Sequence, residues 1–266
     1  MLLDWLSYDF MVTALWAVLL VVPLMALLGT MVVNNRMSFF SDALGHSALT
    51  GVAVGVIAGV SDYRWMLVGF GVVFALLMNR IRRSRLSSTD TVIGVFSSVG
   101  VALGLALLSA KGNLANYQSL LVGDILSITA EELTVLAVAL TVTVVLWLVC
   151  FNGFFAVSVS PALARSKGFA TGLLDNLFVT LVAVVVMLAI RWVGLLLINA
   201  MLILPAASAR NVARSMRSYH LLSVVFGLFS GVVGLALSYY QGIATGPAII
   251  LVLAAVFFGT FLLRKK

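Results

Sequence analysis

The sequence predicts an all-α protein, a polytopic transmembrane helical bundle of eight or nine spans forming one domain over residues 1–266. Three observations predict it. Hydrophobic residues make up 63% of the chain and charged residues only 9%, whereas a soluble domain carries about 25% charge. The mean hydropathy is +1.19. The apolar residues also fall into runs of about 20, the length that crosses a bilayer core as a helix.

Nine runs are read in order, at residues 11–33, 43–60, 65–78, 91–110, 133–151, 173–190, 192–209, 221–240 and 247–263. The third is short. The sixth and seventh meet at Arg191-Trp192, so a hairpin or a broken helix there would reduce nine spans to eight. The start, MLLDWLSYDFM, has no basic segment and carries Asp4 and Asp9, so it reads as a retained first span and not as a cleaved leader. The single Cys150 lies in an apolar run, which excludes a disulfide framework and a thiolate cluster.

Charge sets the orientation. With nine spans, thirteen of the sixteen Lys and Arg fall in one set of loops: Arg36, the group Arg80 to Arg85, Arg165, Lys167, Arg210, Arg214, Arg217 and the C-terminal Arg264, Lys265 and Lys266. Only Arg64, Lys111 and Arg191 fall in the other set. Basic residues are retained on the cytoplasmic side, so the C-terminus is expected in the cytoplasm. The surplus of +7 is thereby assigned to topology and not to nucleic acid. Most acids, including Asp124, Glu131 and Glu132, fall at the opposite face.

Two loops stand out. In 111–132 the middle, 119–128, is apolar enough for a short half-inserted helix. In 152–172, Ser160 followed by Pro161 reads as an N-cap with proline at the first helical position. A short helix there is either a docking element or an ordinary connection.

Ionisable groups inside spans are costly and tend to face a cavity or a partner. Asp42 and His46 in MSFFSDALGHSALTG are four apart, one turn of a helix, on one face. Carboxylate and imidazole are ligands for zinc and other first-row divalent ions. Small neighbours allow close helix approach. The alternative is that Asp42 caps the helix and His46 bonds a backbone carbonyl. Asp90 in STDTVIG reads first as a helix-start acid beside Ser88 and Thr89. Asp90, Asn199 and Met201 are kept as candidates for an ion pathway, with Pro205 as a hinge beyond the last two. Asp175 reads as a helix-start acid and His220 as a surface residue. No P-loop, HExxH helix or GxSxG elbow is present. The chain therefore carries no visible ATP-hydrolysing or peptidase machinery.

Four stretches, in order, resemble the ABC-3 family of metal permeases, nearest its zinc-importing branch. They are RMSFFSDALGHSALTGVAVG, DTVIGVFSSVGVALGLALLS, YQSLLVGDILSITAEEL and VGLLLINAMLILPAASARNVARS. The resemblance covers roughly residues 11–263. It implies a fold like a type II ABC importer permease, working as a homodimer in a bacterial inner membrane. It also implies a docked pair of ATPase subunits and a periplasmic metal-binding protein that delivers Zn²⁺, or Mn²⁺ or Fe²⁺. The ion would be cargo, with no permanently bound cofactor. The family's metal-contacting Asp and His map onto Asp42 and His46. Its coupling segment maps near 157–170, onto Ser160, Pro161, Ala162, Leu163, Ala164, Arg165 and Gly168. The chain departs from the family pattern at Ala162, at Ser88 and Thr89, and at Ala130. A stand-alone ion-coupled carrier or an intramembrane enzyme is the rival from another class.

Overall fold

A computed structural model describes residues 4–60, 63–84, 88–110, 121, 123–195 and 197–264. Among these residues there are ten α-helices: α1 (Asp9–Asn34), α2 (Phe40–Ile57), α3 (Tyr63–Arg83), α4 (Thr89–Ala110), α5 (Ala130–Val159), α6 (Pro161–Ser166), α7 (Thr171–Val193), α8 (Ile198–Val212), α9 (Met216–Gln241) and α10 (Thr245–Leu262). Among the described residues, eight helices are long and apolar enough to cross a membrane. The other two are α6 and α8.

The eight-span reading therefore describes the long helices, and the physical reason lies between α7 and α8. The sequence reads as one apolar run from Trp192, yet α7 continues through Arg191 to Val193 and stops at Gly194, whose φ of 88° suits glycine. The following helix has 15 residues, about 22 Å at 1.5 Å per residue, shorter than a bilayer core of about 30 Å. Pro205 sits inside α8 without ending it, so the break falls at Gly194 and not at the proline. α3 is longer than its apolar run because its last turn carries Arg80, Arg82 and Arg83. α5, with 30 residues, spans about 45 Å and projects beyond the bilayer core.

α1 is the central post, packed against α5, α7, α8 and α9. α2 is enclosed by α3, α4, α7 and α8. Small residues let these helices approach closely. Gly100 and Gly104 of α4 lie against Ser47, Leu49 and Thr50 of α2, and the Thr50 hydroxyl donates to the Gly100 carbonyl at 2.6 Å. Gly227 and Gly231 of α9 receive Val22 and Val18 of α1. The outer faces are apolar and open: Leu148, Val149, Leu251 and Phe258 are all exposed, as lipid-facing residues must be.

The two ends differ in charge. Arg36, Arg82, Arg83, Arg165 and Arg210 meet around one cleft of about 710 Å³. At the other end Arg64, Glu131, Glu132 and Arg191 share a smaller cavity. Of the half-inserted helix expected at 119–128, residues 119, 120 and 122 lie outside the described residues; from 123 on the stretch holds a 3₁₀ turn, Ile125–Ser127, capped by the Asp124 carboxylate.

Candidate ion-pathway site

α2 follows a tight turn in which the Met37 amide donates to the Val32 carbonyl at 2.9 Å. No side chain caps its start, so Asp42 is not used as a cap. Asp42 Oδ2 lies 3.5 Å from His46 Nε2. The pair is thus one unit, held across a single helical turn.

Its setting is more informative than its distance. From Phe40 to Ala53 every residue of α2 is buried except Asp42 and His46. Their side chains are 38% and 29% exposed. The helix most enclosed by its neighbours therefore leaves open only the stripe that carries its ionisable groups. Burying both would cost desolvation without full compensation. Facing a space that water or an ion enters avoids that cost.

The structure brings Asn199 to the residue that precedes Asp42. The Ser41 hydroxyl donates to Asn199 Oδ1 at 2.5 Å, and Ser41 immediately precedes Asp42. One turn on, the Cα of Gly45 faces the Leu195 carbonyl and the Ile198 side chain. The start of α8 is thus docked on the face of α2 next to the open stripe. Met201 is 3% exposed, inside the core. Asp90 is elsewhere: it is exposed in the first turn of α4, and the Ser88 hydroxyl accepts the Thr91 amide at 3.1 Å. Gly100 of α4 lies at Ser47 of α2, so Asp90, ten residues earlier, sits towards the basic end. Among the described residues no group of three His, Cys, Asp or Glu is gathered, so one chain offers two strong ligands and not a closed four-ligand site.

Within the segment 157–170 a short helix, Pro161–Ser166, lies at the basic end. Ser160 caps it, its hydroxyl accepting the Leu163 amide at 3.3 Å, and Pro161 occupies the first position. Pro161, Ala162, Leu163 and Arg165 are exposed; Ala164 alone is buried and anchors the helix. Gly168 turns the chain with φ of 81°. This helix stands proud of the bundle beside the arginine-lined cleft.

Three further polar residues take paired roles. His220, read from the sequence as a surface residue, is 8% exposed. Its Nδ1 lies 2.8 Å from the Thr30 hydroxyl, and its ring meets Trp147 and Phe151 edge-on. The correction follows from α9 starting at Met216, capped by Ser215, which draws His220 into the packed part of the helix. Asp175, read from the sequence as a helix-start acid, is not one: α7 starts at Thr171 and carries no acid in its first turn, and Asp175 pairs instead with Arg82 at 2.8 Å. Glu132 is 3% exposed and accepts from the Thr129 amide, Arg191 and Trp192. Only the last had a local signal, the Thr129-x-x-Glu132 capping box.

Comparison with known proteins matches nearly the whole chain. The profile of the ABC 3 transport family matches residues 7–264. The manganese import system permease protein ScaB of Streptococcus parasanguinis is 31% identical over 261 residues, covering 98% of this chain and 92% of that protein. The high-affinity zinc uptake system membrane protein ZnuB of Haemophilus influenzae is 29% identical, covering 90% of this chain and 92% of that one. Among solved structures, PsaBC from Streptococcus pneumoniae, in complex with Fab, superposes with a TM-score of 0.86 at 29% identity, covering 98% of this chain and 95% of that chain. The chain is a multi-pass helical membrane protein and belongs to the ABC 3 transport family.

Proposed function

We propose that this chain is the permease subunit of an ATP-driven importer of divalent metal, with Zn²⁺ as its cargo. The observation that carries the reading is the open stripe of α2, where Asp42 and His46 are the only residues between Phe40 and Ala53 that are not buried. A weak, two-ligand site suits a carrier, because an ion held too tightly does not leave. Two copies of the chain facing one another across this stripe would supply four ligands to an ion in transit. Asn199, held by Ser41, would line the same route, with Met201 and Asp90 as its further candidate members. The basic end would face the cytoplasm of a bacterial cell, with the C-terminus there. The helix from Pro161 to Ser166 would receive a separate ATPase, and the acidic end a periplasmic metal-binding protein.

One observation favours a second cargo. The relative at 31% identity carries manganese in its name, and the zinc-named one stands at 29%. A carboxylate suits Mn²⁺ and an imidazole suits Zn²⁺, while ligand affinity alone does not select between them. Uptake of ⁶⁵Zn and ⁵⁴Mn by cells expressing the complete transporter decides the cargo. Asp42→Ala and His46→Ala are each expected to lower uptake about 10-fold or more, since even outer-shell partners of a metal are worth about 10–100-fold. Wild-type uptake in both variants, at normal membrane levels, overturns the ion-path role.

A further inference from the structure

The ends of α3 and α7 are fastened to each other by more polar contacts than packing requires. At the basic end, Arg82 Nη2 donates to both Asp175 oxygens, at 3.0 and 2.8 Å. Arg82 also donates to Asn79 Oδ1 at 2.6 Å, and Asn79 Nδ2 donates to Asn176 Oδ1 at 2.8 Å. Arg83 Nη1 donates to the Gly172 carbonyl at 3.1 Å. Three residues of the last turns of α3 thus hold three residues of the first turns of α7. Arg82 and Asp175 are 14% and 13% exposed, and Asn79 is fully buried.

This fastening lies directly after the exposed short helix. Between α6 and α7 the chain is closed by its own hydrogen bonds: the Gly168 amide donates to Arg165, the Phe169 amide to Ala164 and the Thr171 amide to Phe169. Such a turn carries displacement and does not absorb it. At the acidic end α3 and α7 are joined again, because Arg64 and Arg191 both pair with Glu132 of α5. Midway, the Cα of Gly71 receives the Met187 side chain. α3 in turn touches α2, where Gly51 rests on Leu67 and Phe70. A continuous path of contacts runs from α6 through α7 and α3 to the helix that carries Asp42 and His46.

We propose that Arg82 and Asp175 are positioning residues that join α3 to α7 as one lever, so that a push on α6 displaces α2 and the ion-binding pair. The inference rests on the transport function proposed above. Neither residue touches the ion. A purely structural pair would affect how much protein assembles, whereas a coupling pair sets how much ion moves for each ATP consumed.

The test uses the complete transporter, with its ATPase and metal-loaded binding protein, in liposomes. Metal uptake and ATP hydrolysis are measured together for wild type, Asp175→Asn and Asp175→Glu. The expected result is a roughly 10-fold fall in ions moved per ATP for Asp175→Asn, with hydrolysis continuing, and recovery in Asp175→Glu. An unchanged ratio in Asp175→Asn overturns the inference. A second experiment does not depend on that variant assembling. In a Cys150→Ser background, Gly71→Cys with Met187→Cys places two thiols where α3 and α7 meet. If the helices move as one body, oxidation to the disulfide leaves uptake intact. Loss of uptake on oxidation, restored by reductant, overturns the lever. Absence of metal uptake by the wild-type complex would instead refute the transport reading itself, so the two failures are distinguishable.

Discussion

His220 illustrates how one buried polar group is defined by its partner's proton. The Thr30 hydroxyl has a single proton, and it goes to the Leu27 carbonyl at 2.6 Å. The 2.8 Å contact with His220 must then be a bond from Nδ1–H to the hydroxyl oxygen. Nε2 is left buried with no hydrogen-bond partner among the described residues. Thr30→Val removes the acceptor and strands the Nδ1–H, at about 1–3 kcal/mol. Thermal unfolding in detergent is expected to show that loss. The double variant Thr30→Val with His220→Phe should regain most of it, because replacing both partners by apolar groups is close to neutral. A Thr30→Val protein as stable as wild type would refute this bond. Nothing local in the sequence marks the pair, since Thr30 and His220 are 190 positions apart. The Asp42 and His46 pair is legible because its partners lie one turn apart on one helix.

At the scale of the helix, the contact of α4 with α2 is set by glycine. A Cβ on Gly104 would lie 2.7 Å from the Leu49 side chain and the Thr50 amide. Gly104→Ala therefore has to part the two helices, costing about 1–3 kcal/mol as overpacking does. Gly259 of α10 is different, because a methyl group there would meet nothing within 4 Å. Gly259→Ala should gain about 0.5–1 kcal/mol from helix propensity alone. Opposite shifts in unfolding temperature check both; equal shifts would show that the α2–α4 approach is not glycine-limited. Element boundaries are readable where a local signal exists. Ser160 and Pro161 predict α6, and the structure places that helix at Pro161–Ser166. The break before α8 has a weaker signal, the polar interruption at Arg191 that leaves a hairpin or a broken helix open. Leu195 and Leu197 read as ordinary span residues, and the stop falls at Gly194, which takes a φ of 88° and lies against Gly123.

Across the bundle, the asymmetry of charge argues for orientation. Thirteen of sixteen basic residues lie in one set of loops by the nine-pass count, and α8, though short, reverses the chain as a ninth pass would. Arg36, Arg165 and Arg210 do share one end of the bundle. A membrane-impermeant maleimide is expected to label Gln241→Cys on intact cells, in a Cys150→Ser background, and Ser166→Cys only after permeabilisation. The reverse pattern would invert the topology. Residue order alone establishes that this chain is a helical membrane bundle, which end is basic, and that α2 carries a carboxylate and an imidazole on one face. These follow from composition and from the 3.6-residue period, which act locally. Helix packing, and nothing in the local pattern, puts the pair on the uncovered stripe of an otherwise enclosed helix, sets Asn199 against the residue that precedes Asp42, and lets Arg82 hold Asp175 across 93 positions of sequence. Those facts depend on which helices are neighbours, and in an all-apolar chain many faces are equally able to pack. Shape complementarity at a few glycines and the pairing of buried charge make the choice.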